Sequence, residues 1–219
     1  MDHRPVVYVV DDDPVLREIA CRTVESLALD VECFTSGRQF LDKFDPSRVS
    51  CLLTDLRMPD LTGQQLLEVL AARRSTIPAI MISGHGDIAS AVRAMAVGAI
   101  AFLEKPCGLD TLRHTIRRAI ELARKRHQAG ASETAHRNRL AELTDEERAT
   151  MQMIASGLPD KAIAAEQDVS LRTVQYRRAS LFEKLQVKTR AELIRLVALD
   201  AHATGSEAVA LQPTETAAE

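Results

Sequence analysis

The first half of the chain alternates short runs of β-branched and apolar residues with longer stretches whose apolar positions recur every three to four residues. The runs are Val6–Val10, Val31–Phe34, Cys51–Thr54, Ala79–Ile82 and Ile100–Leu103, and helical segments are predicted between them near 14–28, 37–44, 62–73, 87–97 and 109–125. Strict strand–helix alternation predicts a doubly wound α/β domain whose parallel strands are covered on both faces. Ligands of such folds sit at the carboxyl ends of the strands.

From Arg124 to Glu142 the pattern dissolves into small and polar residues, and Gly130 is expected to interrupt the helix leaving the last segment. Residues 143–199 then read as four helices without a strand. Their starts are marked by Thr144, Pro159, Ser170 and Thr189. The chain therefore divides into a first domain at 1–123, a partly helical linker at 124–142, a small all-α domain at 143–200 and a tail at 201–219. The tail is acidic, poor in large apolar groups and expected to be disordered.

Charge refines this picture only locally. The net charge of the chain is −3, and residues 143–200 hold nine basic against nine acidic side chains, which argues against unspecific polyanion binding by the whole domain. Within it, residues 172–195 carry seven basic groups and two acidic ones. No window approaches the roughly 18 apolar residues of a membrane span, and the first residues lack a signal peptide's long apolar region, so a cytoplasmic protein is expected. Cys21, Cys33, Cys51 and Cys107 form no metal-binding spacing and read as reduced, mostly buried thiols.

The strand ends carry the chemistry. Asp11, Asp12 and Asp13 follow the first strand and Asp55 closes the third, so parallel strands bring these carboxylates to one edge. Converging like charges need a cation, and hard oxygen ligands suit Mg²⁺ (or Mn²⁺). Ser83 ends the fourth strand and Lys105 follows the fifth. A carboxylate nucleophile at Asp55, a metal, a hydroxyl and an ammonium are the parts required for phosphoryl transfer, where catalysis is mostly positioning and charge neutralisation. Gly84 and Gly86 around His85 read as an ordinary loop.

With VVDDDP at 9–14, TDLRMPDLTG at 54–63, ISGHGD at 82–87 and GAIAFLEKP at 98–106, residues 4–122 resemble the flavodoxin-like receiver domain of two-component response regulators. The resemblance implies that Asp55 is phosphorylated by a histidine kinase. It further implies that Asp11, Asp12, Asp55 and the Arg57 backbone carbonyl hold the metal, with Asp13 a bystander or a helix N-cap. Ser83 and Lys105 would bind the phosphate, Phe102 would act as an aromatic switch, and the Lys105–Pro106 bond would be cis. The domain would be enzymatic only in its own phosphorylation and dephosphorylation.

Residues 143–199 resemble the LuxR/NarL-type helix-turn-helix, and the order of domains resembles the FixJ-like regulators. Landmarks are Leu143–Thr144, Glu147, Gly157, Lys161-x-Ile163-Ala164, Val169–Ser170, Thr173–Val174, Lys184–Leu185-x-Val187 and Arg190. On a helix from Leu171 to Leu185, Val174, Leu181 and Leu185 share one stripe, while Arg172, Gln175, Tyr176, Ala179 and Glu183 lie opposite. Gln175 suits adenine, Arg172 guanine or phosphate, and Tyr176 and Ala179 a thymine methyl. Lys161, Thr173, Lys188 and Arg190 suit phosphates. Arg177 completes the DNA-contact set by resemblance, and Arg178, on the core side, is expected to snorkel or to pair with a linker acid. The implied partners are a histidine kinase, a double-stranded DNA operator, a second copy on phosphorylation through the fourth and fifth helices and fifth strand, and RNA polymerase as a further candidate. Two rivals remain at this stage: an RNA-binding antiterminator, and a regulator that works without phosphate.

Overall fold

The computed structural model describes residues 4–84 and 88–204, so the readings of His85 and of most of the 201–219 tail fall outside the described residues. The chain separates into two compact units, Met1–Gly130 and Ala131–Glu219.

In the first unit five strands, β1 (Val6–Val10), β2 (Asp30–Phe34), β3 (Ser50–Asp55), β4 (Ala79–Ser83) and β5 (Ala99–Glu104), form one parallel sheet in the order β2-β1-β3-β4-β5. The intervening helices are α1 (Pro14–Glu25), α2 (Gly37–Lys43), α3 (Gly63–Ala72), α4 (Ile88–Ala96) and α5 (Leu109–Ala141). This is the flavodoxin-like doubly wound order expected from the alternation. The three central strands are buried along their whole length, which is why they read as continuous apolar runs, whereas the edge strands β2 and β5 are only partly covered.

Side chains alternate across the sheet and build two cores. Val6, Tyr8 and Val10 join Leu52, Met81, Phe40 and Leu66 on one face. Val7 and Val9 join Leu53, Ile80, Val24 and Ile116 on the other. Tyr8 anchors an aromatic cluster with Phe34, Phe40 and Phe44, ring centroids 5.3–6.1 Å from its own.

Two expectations need correction here. Gly130 does not interrupt α5, which runs through it to Ala141. A single Gly costs a helix about 1 kcal/mol relative to Ala, and the Ala-, Arg- and Lys-rich flanks, with an Arg137–Glu133 pair one turn apart, offset it. Cys21 and Cys33 are not reduced thiols but are joined in a disulfide between α1 and β2, elements that pack together. Their 12-residue separation gives no signal of this in the sequence. Cys51 is free and buried, and Cys107 is free and half-buried.

The second unit holds α6 (Asp145–Ser156), α7 (Asp160–Glu166), α8 (Leu171–Leu185) and α9 (Arg190–Thr204). Thr144 and Glu147 form a capping box at α6, Ser170 caps α8, and the Thr189 hydroxyl accepts from the Glu192 amide. Gly157 ends α6 at φ 101°, a left-handed conformation that other residues adopt only under strain. Leu143, Met151, Ile154, Ile163, Val174, Leu181 and Leu193 form the core.

Ile116 is fully buried beneath the sheet, so Ile116→Ala should cost about 2–5 kcal/mol in urea unfolding of the first unit. The Glu147 carboxyl is held below its ordinary 4.5, first by the hydrogen bond from Lys184 and then by that from the Thr144 amide. A depressed acid contributes stability that is present above its unfolded value and lost as pH falls through the folded one. Glu147→Gln keeps the capping box but removes the charge, and should cost the second unit about 0.5–1 kcal/mol at neutral pH. Thermal unfolding should show that gap closing well below pH 4.5.

Candidate functional sites

Parallel pairing fixes which residues meet at the carboxyl edge of the sheet. Val10 pairs with Thr54 and Asp55 with Ile82, so Asp11, Asp55 and Ser83 emerge from adjacent strands β1, β3 and β4. Lys105 follows β5, and its amide donates to the Ser83 carbonyl at 2.8 Å. From there its ammonium crosses over β4 and bridges two carboxylates, at 2.9 Å from Asp11 Oδ2 and 2.6 Å from Asp55 Oδ1. The three side chains are 9%, 9% and 16% exposed for Asp11, Asp55 and Lys105.

The backbone finishes what the ammonium begins. Asp55 Oδ2 accepts the Arg57 amide at 2.5 Å and Asp11 Oδ1 accepts the Asp13 amide at 2.9 Å. Burial pushes the Asp11 carboxyl up, against the pull of Lys105 and the Asp13 amide. Burial alone would depress the Lys105 ammonium, but its hydrogen bonds with Asp55 and Asp11 outweigh that and raise it.

The predicted residues do not all converge. Asp12 is exposed, and Asp13 caps α1 by accepting from the Val15 and Leu16 amides. Among the described residues no three His, Cys, Asp or Glu side chains gather as a ready-made metal cage. Ser83 is buried at the end of β4. Phe102 is half-buried and packs against the same core as Tyr8 and Met81. Lys105–Pro106 is cis.

Sequence reasoning missed two supports of the site. Arg17 Nη1 donates to the Asp11 carbonyl at 2.7 Å. Gly63, the first residue of α3, lies so close to the Asp55 carbonyl that a Cβ there would collide with backbone. The only signal for Gly63 was its place at the end of a motif. A cavity of about 150 Å³ adjoins Asp55, floored by Leu16, Ile19, Leu109 and Leu112. Of its lining, Ile19 and Leu109 are well exposed.

In the second unit α8 presents Arg172, Gln175, Tyr176, Ala179 and Glu183 to solvent opposite buried Val174, Leu181 and Leu185, with Tyr176 76% exposed. Lys161, Lys188 and Arg190 are also exposed. Thr173 is half-buried, its hydroxyl 2.8 Å from the Ser170 cap. Arg177 turns inward instead: it bonds Glu146 Oε2 at 3.0 Å and Gln167 Oε1 at 3.1 Å. Arg178 pairs with Asp160 of α7 at 2.8 Å, rather than with a linker acid, and lies over the Phe182 ring. Lys184 pairs with Glu147. Three of the seven basic groups in 172–195 are thus neutralised by acids outside that segment, leaving Arg172, Lys188, Arg190 and Arg195 as the exposed charge.

Residues 7–117 match the family model of the response regulator receiver domain, and residues 141–197 that of the bacterial regulatory proteins of the luxR family. The chain is 37% identical over 190 residues to the transcriptional regulatory protein FixJ of Bradyrhizobium diazoefficiens, covering 87% of this chain and 93% of that protein. It is 33% identical over 195 residues to the response regulator protein TodT of Pseudomonas putida, covering 89% and 86%. Among solved structures, the response regulator StyR superposes with a TM-score of 0.79 at 36% identity, covering 89% of this chain and 98% of that one. Full-length FixJ from B. japonicum gives 0.54 at 34%, covering 91% and 98%.

Because the Gly63 position has no room for a Cβ beside the Asp55 carbonyl, Gly63→Ala should destabilise the first unit by about 1–3 kcal/mol in denaturant unfolding. Gly130→Ala, in open space within α5, should instead be neutral or mildly stabilising.

Proposed function

The chain belongs to the FixJ-like response regulators, which join a receiver domain to a LuxR-type DNA-binding domain in two-component control of transcription, and from that premise we propose that Asp55 is its phosphoacceptor. One observation carries the assignment: the Lys105 ammonium bridges Asp55 and Asp11 at the carboxyl edge of the parallel sheet.

In this reading an Asp55 carboxylate oxygen attacks the phosphorus of a histidine kinase's phosphohistidine, and the N–P bond breaks as the O–P bond forms. No proton need leave the nucleophile. Asp11, Asp12, Asp55 and the Arg57 carbonyl would hold Mg²⁺ or Mn²⁺, and the donor set fits in type: hard oxygens, with the Asp11 and Asp55 carboxylates side by side at one edge and Asp12 exposed next to them. Such an ion supplies charge neutralisation for the phosphoryl oxygens. The new phosphate brings about −1.5 to −2 charge, which draws the Lys105 ammonium and the Ser83 hydroxyl to it, with Phe102 repacking behind Ser83. The exposed Ile19 and Leu109, which share a cavity with Asp55, suit an apolar contact with the kinase.

The consequence is altered DNA binding in the cytoplasm by α8, with Gln175, Arg172, Tyr176 and Ala179 facing the major groove and Lys161, Thr173, Lys188 and Arg190 toward phosphates. Arg177 leaves the contact set, since its guanidinium is occupied within the domain. A second copy would join across α4, where Ile88, Val92 and Met95 form an exposed apolar row, 85%, 62% and 50% exposed.

Incubation with a small phosphodonor and Mg²⁺ should add one phosphoryl group by intact-protein mass spectrometry, and Asp55→Asn should abolish it; an unmodified wild type would favour a regulator that works without phosphate. On an operator selected from random duplexes, Gln175→Ala should lose about 1–3 kcal/mol and relax the sequence preference at one position, as read by gel shift. Preference for RNA over duplex DNA in the same assay would overturn the groove assignment.

A further inference from the structure

A second cavity lies at the opposite end of the sheet from Asp55, where β3 and β4 begin. It encloses about 290 Å³ between the segment entering β3, the connection from α3 to β4, and the α5 helix at Ala123 and His127. Nothing in the phosphoryl chemistry uses it, since the six residues of β3 separate the two ends by about 17 Å.

Its lining has two characters. Phe44, Pro46, Val49 and Ile77 supply an apolar floor, while Arg48, Arg73, Arg74 and His127 stand around it, and no acidic side chain lines it among the described residues. Arg48 is already neutralised by Asp30 and Glu32, so it adds little free charge, yet its Nε is buried without a hydrogen-bond partner. Arg73 and Arg74 are exposed and outside the ion pairs described. Arg126, next to His127, donates to the Thr76 carbonyl at 2.8 Å and ties α5 to the same connection.

Arg74, like Ala28, Asp168 and Gln186, is a non-glycine residue at positive φ following a helix. It sits at φ 54° just past α3, where the Arg74 amide bonds the Ala71 carbonyl and the Ser75 amide the Leu70 carbonyl. That is the helix-ending turn in which glycine is favoured, because a Cβ is disfavoured at positive φ.

We propose that this cavity binds a small organic phosphate carrying a flat ring, a nucleoside phosphate in chemical class. The ring would lie on the floor of Phe44, Pro46 and Ile77, and the phosphates would take Arg73, Arg74 and the His127 ring N–H. Arginines suit phosphate oxygens through charge-assisted, paired hydrogen bonds. The volume is near the lower end of small-ligand pockets, enough for one such molecule. Occupancy would brace α5 against the α3–β4 connection from a place independent of Asp55.

The test is calorimetric titration of the full chain with adenosine 5′-diphosphate in the presence of EDTA, beside adenosine and inorganic pyrophosphate. One site is expected for the diphosphate, with weaker binding of both fragments and a loss of roughly tenfold or more in Arg73→Ala and in Arg74→Gly, each removing a charged hydrogen-bond donor. Arg74→Gly suits its backbone conformation, so its thermal midpoint should not fall and lost binding cannot be ascribed to unfolding. Asp55→Asn should bind as the wild type does. Absence of binding, binding that survives in both arginine variants, or binding lost in Asp55→Asn would each overturn the proposal.

Discussion

One ammonium between two buried carboxylates is the constraint on which the receiver unit turns. Asp11 and Asp55 lie at the ends of neighbouring strands because β1 and β3 pair in register, and at that spacing their charges repel in a poorly hydrated site. Lys105 holds both, and only a strand at the far side of β4 can deliver it from that direction. The Arg57 and Asp13 amides, the Arg17 guanidinium and the absent side chain of Gly63 all serve to keep the carboxylates where the ammonium can reach them. Two acids against one base leave the cluster short of positive charge. In the proposed function, that shortage is the physical reason a divalent ion would be held there.

The second unit distributes charge by the same logic to a different end. Arg177, Arg178 and Lys184 all lie on α8, the helix proposed to enter the groove, but their charges are taken up by Glu146, Asp160 and Glu147 of the two preceding helices. These pairs, partly shielded and reinforced by Gln167 and Phe182, tie α8 to α6 and α7. The exposed side of α8 then offers Arg172 as its full positive charge, with Gln175, Tyr176 and Ala179 around it, a face that under the proposed function suits reading bases more than holding phosphates.

Much of this was legible in the sequence because it depends on periodicity and on strand ends. Buried strands read as apolar runs, capping residues marked Thr144 and Ser170, and the topology of alternating strands and helices sent Asp11, Asp55, Ser83 and Lys105 to one edge. What was not legible depends on side chains meeting across elements. A helical wheel places Arg178 by angle alone, and resemblance places Arg177 by position alone; neither foresees an acid on another helix. The Cys21–Cys33 disulfide and the fit of Gly63 against the Asp55 carbonyl are likewise contacts between elements. Gly130 misled for the opposite reason: a local propensity of about 1 kcal/mol was read as a break, when the flanking residues sustain the helix.

The most direct test of the central claim is a double-mutant cycle on folding stability with Lys105→Met, Asp55→Asn and both together. If the ammonium is what makes the paired carboxylates tolerable, Lys105→Met should cost much more in the wild-type background than in the Asp55→Asn background, a coupling of about 1–3 kcal/mol. Costs that add within about 0.5 kcal/mol would contradict the account, because Lys105 and Asp55 would then be neighbours without mutual dependence.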